Sequence, residues 1–217
     1  DGSMRGATSL AKLGMSTMTI PCTIDNDMGG TQYTLGFDTA LNTVVDAVGR
    51  IRDTSNSHER VAIVEVMGRK AGHIALKAGL ACGAEIVITP ETGYDETEIL
   101  EKLRYLGDAV KKNHAIVIIS EKICDVDGLA KKVSLHTNFS GRATILGHIQ
   151  RGGSPTPVDR MLSSRMGEKA IDLLMDGIGG HCVGIIDNEI CSMPIQEALE
   201  KPRKSRKKLY RLFDRLV

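Results

Sequence analysis

Tryptophan is absent from this 217-residue chain, and four tyrosines and three phenylalanines are its only aromatic residues. Its core must therefore be assembled from Val, Ile, Leu, Met and Ala. No two cysteines have the Cys-x-x-Cys spacing. Cys22, Cys82, Cys124, Cys182 and Cys191 are scattered and odd in number, which argues against a disulfide framework or a thiolate zinc site and suits a reducing, cytoplasmic setting. Neither sign of charge dominates. The net charge of +1 gives no electrostatic reason to expect nucleic acid or an anionic membrane as the main partner. No apolar run approaches the ~20 residues of a membrane-spanning helix. Asp1-Gly2-Ser3-Met4-Arg5-Gly6 reads as neither a signal nor a transit peptide but as the middle of a motif, so a preceding segment is expected.

What is present is ordinary in bulk, with 41% hydrophobic and 25% charged residues. The pattern along the chain is more informative. Met18-Thr19-Ile20, Val61 to Val66, Glu85 to Thr89, His114 to Ile119 and Cys182 to Ile186 read as short buried strands. Between the first two, Leu41, Val44, Val45, Val48 and Ile51 repeat at helical spacing, with Thr34 as the expected N-cap. Asp95-Glu96-Thr97-Glu98 resembles a capping box for a helix carrying Ile99, Leu103, Leu106 and Val110. A third helix is expected from about Asp159, with Leu162, Met166, Leu173 and Leu174 inward. A terminal helix should place Leu209, Leu212, Phe213 and Leu216 on one stripe. The basic run from Lys201 to Arg211, including Arg203, Lys204, Arg206, Lys207 and Lys208, reads as that helix's solvated face. Strands alternating with helices imply parallel pairing and an α/β sheet layered by helices.

In such sheets ligands bind where strands end. The first strand is followed by Pro21-Cys22-Thr23-Ile24-Asp25-Asn26-Asp27, then Gly29-Gly30-Thr31. Asp25 and Asp27 could divide the work of general base and metal-linked partner, and an Asx-rich turn satisfying its own backbone is the alternative. The second strand runs into Glu65-Val66-Met67-Gly68-Arg69. There Gly68 allows close backbone approach, and Arg69 offers a planar fork for phosphate oxygens. Gly147-His148-Ile149-Gln150-Arg151-Gly152-Gly153-Ser154-Pro155 sets His and Arg beside a glycine-rich turn. Arg60 and Arg142 lie near other predicted loops, and together these residues suggest an anionic substrate.

Pro-x-Thr-Ile-Asp-Asn-Asp, Glu-Val-Met-Gly-Arg and Gly-His-Ile-Gln-Arg-Gly-Gly-Ser-Pro occur in this order and separation, and with them the chain resembles the bacterial ATP-dependent 6-phosphofructokinases. Asp1-Gly2-Ser3 is similar to the tail of that family's Gly-Gly-Asp-Gly-Ser motif. The resemblance covers nearly the whole chain and loosens after about Asp187. It implies two three-layer α/β/α lobes with mainly parallel sheets, the N-terminal lobe incomplete. Residues 1–36 and 150–200 would be a remnant of the nucleotide-binding domain, and residues 37–149 and 201–217 the sugar-phosphate-binding domain.

The resemblance also implies the chemistry. MgATP would phosphorylate the 1-hydroxyl of fructose 6-phosphate, giving fructose 1,6-bisphosphate in glycolysis. Asp25 would be the base, Thr23 would hold the transferred phosphoryl group and Arg69 would stabilise its charge. Asp1 and Asp27 would sit around Mg2+, and Asp1, Gly2 and Ser3 would face the nucleotide. Met67, Gly68, Glu121, His148 and Arg151 would hold the sugar phosphate. Arg60 and Arg142 would reach the 6-phosphate of a neighbouring subunit, which implies a homo-oligomer, a tetramer, with shared sites. Arg52, Gly83, Glu85 and Lys112 would form part of an allosteric site for ADP or a similar effector. Pyrophosphate-using relatives usually carry Asp in place of Gly2 and Lys in place of Cys22, so the residues here favour ATP. The family's ATP-phosphate loop precedes the Asp-Gly-Ser motif, so the 217 residues alone are expected to be inactive; the alternatives are a pyrophosphate-dependent phosphofructokinase and a non-catalytic sugar-phosphate-binding or regulatory fragment.

Overall fold

The structure is a computed structural model and describes residues 2–56, 59–201 and 206–217. Along the chain come helix α1 (Gly2–Lys12), the short strand β1 (Met18–Thr19) and the long helix α2 (Phe37–Asn56). Then strand β2 (Arg60–Val66), α3 (His73–Cys82), β3 (Ile86–Ile88), α4 (Glu96–Asp108), β4 (Ala115–Ser120), α5 (Val126–His136) and β5 (Ser140–Ile145) alternate. A 3-10 turn (Gly147–Arg151) leads to α6 (Pro157–Met175) and a hairpin of β6 (His181–Ile186) and β7 (Glu189–Pro194). Helices α7 (Ile195–Glu200) and α8 (Lys207–Leu216) follow. The fold is α/β, and the chain divides into two compact units, Asp1–Thr39 with Ser154–Ser205 and Ala40–Gly153 with Arg206–Val217.

The first unit is built on a sheet of order β1-β6-β7. Strand β1 runs parallel to β6, with Met18 opposite His181, and β7 returns antiparallel. The two-residue hairpin turn sets Asp187 at φ 51° and Asn188 at φ 68°. That is the left-handed pair a tight hairpin needs, at side chains that tolerate it. Alternation along β6 sends successive residues to opposite faces. Val183 and Ile185 pack against Leu162, Met166, Ala170 and Leu173 of α6. Cys182 faces a second cluster with Met4, Met28, Met193, Ile195 and Ala198.

The second unit holds a four-stranded, all-parallel sheet of order β3-β4-β2-β5. All six residues of β4 are buried, as expected for a central parallel strand covered on both faces. Val61 and Ile63 of β2 and Ala115, Val117 and Ile119 of β4 face the helices α4 and α5, through Leu103, Leu106, Leu129 and Val133. The alternate residues Ala62, Val64, Ile116 and Ile118 are equally buried on the other face. Helix α3 lies against β3 and β4, and α8 packs on α3. Asp95 caps α4, accepting from the Thr97 and Glu98 N–H groups.

Several expectations change. Thr34 is not the cap of α2: its hydroxyl donates to the Thr23 carbonyl at 2.5 Å, and the helix begins at Phe37. Val110 lies beyond the end of α4 and is exposed, because the helix stops at Asp108. Leu212 and Leu216 of α8 are exposed, and Phe213 is the buried anchor. Helices α1, α3, α5 and α7 and strands β5 and β7 lie outside the elements expected from the sequence. Of the basic run, Lys207, Lys208 and Arg211 are exposed, while Arg203 and Lys204 lie outside the described residues.

Candidate active site

The loop between β1 and α2 is closed at its base. The Leu35 N–H donates to the Pro21 carbonyl at 2.9 Å, and Cys22 bridges to Leu35. One step further in, Thr34 meets Thr23 through the bond already described. At the tip, Asn26 is 5% exposed and has φ 50°, a left-handed conformation Asn adopts more readily than most residues. Its carboxamide oxygen accepts the Thr34 N–H at 2.9 Å and its amide donates to the Gln32 carbonyl at 3.1 Å. The Asp25 N–H donates to the Thr23 hydroxyl at 3.2 Å. Asp25 and Asp27 therefore flank a braced residue, with Asp27 buried and Asp25 half-buried. Burial first, and the Asp159 carboxylate second, push the Cys22 thiol above its ordinary value, although the side chain reaches the surface.

In the second unit, β4, β2 and β5 are neighbouring parallel strands, so their carboxyl ends share one edge of the sheet. Met67, Gly68 and Arg69 leave β2 there, Glu121 follows β4, and the 3-10 turn with His148 and Arg151 follows β5. Gly68 has φ 153° and a side chain at that position would meet the Ala71 carbonyl, so only glycine fits. Arg69 has φ 58°, a left-handed conformation that costs a side-chain-bearing residue about 1–2 kcal/mol. The Glu121 carboxylate offsets this by accepting the Arg69 N–H at 2.8 Å and the Gly68 N–H at 3.3 Å. Glu121 sits beside Glu65, whose carboxyl is raised first by burial and then by the Glu121 charge.

Gln150 is 1% exposed, and its oxygen accepts the Met67 N–H at 3.1 Å while its amide donates to the Gly147 carbonyl at 3.0 Å. It ties the end of β2 to the turn after β5. Residues three apart eclipse in a 3-10 helix, so His148 and Arg151 share one face, and both are exposed. Arg60 and Arg142 stand elsewhere. Arg60 opens β2, six residues before its last residue, which at ~3.3 Å per residue sets it roughly 20 Å from the carboxyl edge. Arg142 pairs in register with Ala62 near the same end.

Arg52, Gly83, Glu85 and Lys112 are gathered around the end of α3. Gly83 is its left-handed C-cap at φ 61°, and the Arg52 guanidinium donates to the Cys82 carbonyl. Glu85 is buried, pairs with the Lys112 ammonium at 2.6 Å and accepts the Ile116 N–H at 2.7 Å. Gly83, Glu85 and Lys112 line a cavity of about 370 Å³ whose other walls include Phe213 and Val217. Gly2 and Ser3 form the exposed first turn of α1, and Asp1 lies outside the described residues.

With this geometry in place, comparison with known proteins decides the family. The sequence model of the family described as Phosphofructokinase matches residues 1–174. The chain belongs to the phosphofructokinase family. It is 50% identical to an ATP-dependent 6-phosphofructokinase of Tolumonas auensis over 94% of its own length and 63% of that protein's. A corresponding protein of Bacillus thuringiensis is 48% identical over 100% of the chain and 67% of its own length. The phosphofructokinase-family chain thus spans about two thirds or just under of the curated relatives it matches. A crystal structure of Pichia pastoris phosphofructokinase in the T-state superposes with a TM-score of 0.87 at 23% identity, covering 99% of this chain and 29% of that one. This last likeness speaks for the fold.

Within this phosphofructokinase-family chain, sequence reasoning missed the residues that hold the others. Asn26 and Gln150 stood inside quoted motifs without a role, although a buried carboxamide between loops is a plausible brace on chemistry alone. Asp159 stands in the sequence only as the expected start of a helix.

Proposed function

We propose that the full-length gene product is an ATP-dependent 6-phosphofructokinase, transferring the γ-phosphoryl group of MgATP to the 1-hydroxyl of fructose 6-phosphate. The observation that carries this reading is the gathering of Met67, Gly68, Arg69, Glu121, His148 and Arg151 at the carboxyl edge of three adjacent parallel strands. Relatives at about 50% identity that bear the name of this enzyme support it.

In the reaction, Asp25 takes the proton of the sugar 1-hydroxyl as that oxygen attacks the γ-phosphorus. The bond to the bridging oxygen breaks and ADP leaves. Thr23 and Arg69 hold the transferred phosphoryl oxygens, where Arg69's fork meets the negative charge. Glu121 fixes the Gly68–Arg69 backbone, so this part of the site is set before substrate arrives. His148 and Arg151, on one exposed face, take the sugar phosphate.

Among the described residues no three His, Cys, Asp or Glu side chains converge as a metal cage. A hard-oxygen set of one or two carboxylates nevertheless fits Mg2+, which retains several waters and phosphate oxygens as ligands. Asp27, with Asp1, would hold it. When bound, Mg2+ neutralises charge on the phosphates.

The position of Arg60 at the amino end of β2, and of Arg142 in mid-strand on β5, suits arginines that serve the 6-phosphate site of a neighbouring subunit in a homotetramer. The cluster of Arg52, Gly83, Glu85 and Lys112 suits an ADP-like effector, which would engage Lys112 in competition with Glu85.

The test is product analysis with full-length protein, fructose 6-phosphate and either ATP or pyrophosphate. Formation of fructose 1,6-bisphosphate with ATP and not pyrophosphate is expected. Turnover with pyrophosphate alone would overturn the donor assignment, and none with either would overturn the function.

A further inference from the structure

The sharpest feature outside the residues just assigned is the start of α2, the helix entered directly from the Thr23–Asp25–Asp27 loop. The residue before the helix is Gly36, at φ 92°, a conformation that disfavours any side chain. An N-cap normally uses its own side chain to accept a helix N–H, and glycine has none. The cap comes instead from Asp159, more than a hundred residues later in sequence and the third residue of α6. One carboxylate oxygen accepts the Gly36 N–H at 3.0 Å, and the other accepts the Thr39 N–H at 2.9 Å and the Thr39 hydroxyl at 2.5 Å.

Asp159 is 5% exposed, and three donors compensate its burial. It also lies in the first turn of α6 and faces the first turn of α2, where partial positive charge favours a carboxylate. The arrangement is reciprocal. Thr156, the N-cap of α6, accepts the Asp159 N–H at 3.3 Å and donates to the Asp38 carboxylate in the first turn of α2 at 2.7 Å. The two helix starts are thereby locked to each other inside one unit.

We infer that Asp159 is a positioning residue for phosphoryl transfer, fixing the stem of the loop that carries Thr23, Asp25 and Asp27. This rests on the function proposed above. The loop is zipped from Leu35 inward to Thr34 and Asn26, so its register against β1 depends on where Gly36 is held. Removing the anchor lets the base move, and a misplacement of about 1 Å can cost on the order of 10²-fold in rate. Asparagine at 159 keeps one acceptor but turns an NH2 group toward a donor N–H, so one of the two backbone bonds must fail.

The experiment measures kcat and KM for fructose 6-phosphate in the full-length protein and in its Asp159→Asn variant. Asp95→Ala, which removes the cap of α4 in the other unit, serves as a control for loss of a helix cap away from the loop. The expected result is a fall in kcat of roughly 10- to 100-fold with KM within about threefold, while Asp95→Ala keeps kcat. An Asp159→Asn variant with unchanged kcat, or one that loses no more than Asp95→Ala, overturns the positioning role. Should Asp159→Asn fail to fold, Thr39→Val removes the hydroxyl that donates to Asp159 and accepts the Thr156 N–H but keeps both backbone bonds to the Asp159 carboxylate; a several-fold fall in kcat is then expected, and an unchanged kcat overturns the inference. An unsubstituted protein without phosphoryl transfer would instead overturn the function on which the inference stands.

Discussion

The carboxamide of Asn26 holds the backbone of Thr34 at 2.9 Å across the mouth of the loop, buried, with a carboxylate residue on each side of it in sequence. The division of labour has a physical reason. A carboxylate spent on bracing a turn is stabilised as an anion and loses basicity, whereas a neutral amide can brace without that cost. Replacing Asn26 by Ala leaves the Thr34 N–H without its acceptor and keeps a side chain at φ 50°. The expected loss is about 2–3 kcal/mol of unfolding free energy, read by denaturant titration. Asn26→Gly relieves the backbone strain and should lose less, and equal losses would show that the hydrogen bonds alone matter.

Glu121 offers a second test. Replacement by Ala leaves Arg69 at φ 58° without the carboxylate that accepts its N–H, and a hydrogen bond to a charged group is worth about 1.5–3 kcal/mol. The KM for fructose 6-phosphate should rise tenfold or more, with a smaller effect on the KM for ATP. Equal rises for both substrates would place Glu121 in general stability.

Glu65 carries the pH dependence. Its carboxyl is raised in the folded state, by burial and then by Glu121, so the folded protein binds this proton more tightly than the unfolded chain. The associated stability is complete below the unfolded value near 4.3 and is lost as pH rises through the folded value. Glu65→Gln removes the penalty. Its Tm should exceed the parent's at neutral pH, and the gap should close on acidification to about 4, as thermal melts would show. A gap that widens on acidification would contradict the assignment.

Arg142 and Asp25 allow the shared-site proposal to be tested by mixing. A subunit with Arg142→Ala spoils its neighbour's 6-phosphate site, and one with Asp25→Asn spoils its own base. Co-expressed, the two should form some sites with both residues intact and recover turnover that neither has alone. Recovery no greater than the sum of the parents would place Arg142 within its own subunit's chemistry.

The parts of this molecule legible in the sequence were those with a local signal. The apolar, β-branched run of Val61–Val66 and the Asp95 cap are written in a few adjacent residues, and both appear as expected. Helix α3 was not legible because seven of its ten residues are buried and Lys77 is its only charged one, leaving no polar face to reveal the helical period. Strand β5 was missed because Ser140-Gly141-Arg142 breaks its apolar pattern. In the candidate site, the motif residues stood out while their supports did not. The partners of Gln150 and Asp159 lie 83 and more than a hundred residues away, so only the fold pairs them with Met67 and Gly36.

The most direct measurement is the turnover of full-length protein and its Asp25→Asn variant with ATP and fructose 6-phosphate, the product's phosphate positions read by phosphorus NMR. The predicted result is fructose 1,6-bisphosphate from the parent and a kcat lower by on the order of 10²–10⁴ in the variant, with KM nearly unchanged. A variant that turns over as fast as the parent would contradict the role given to Asp25 and to the loop built around it.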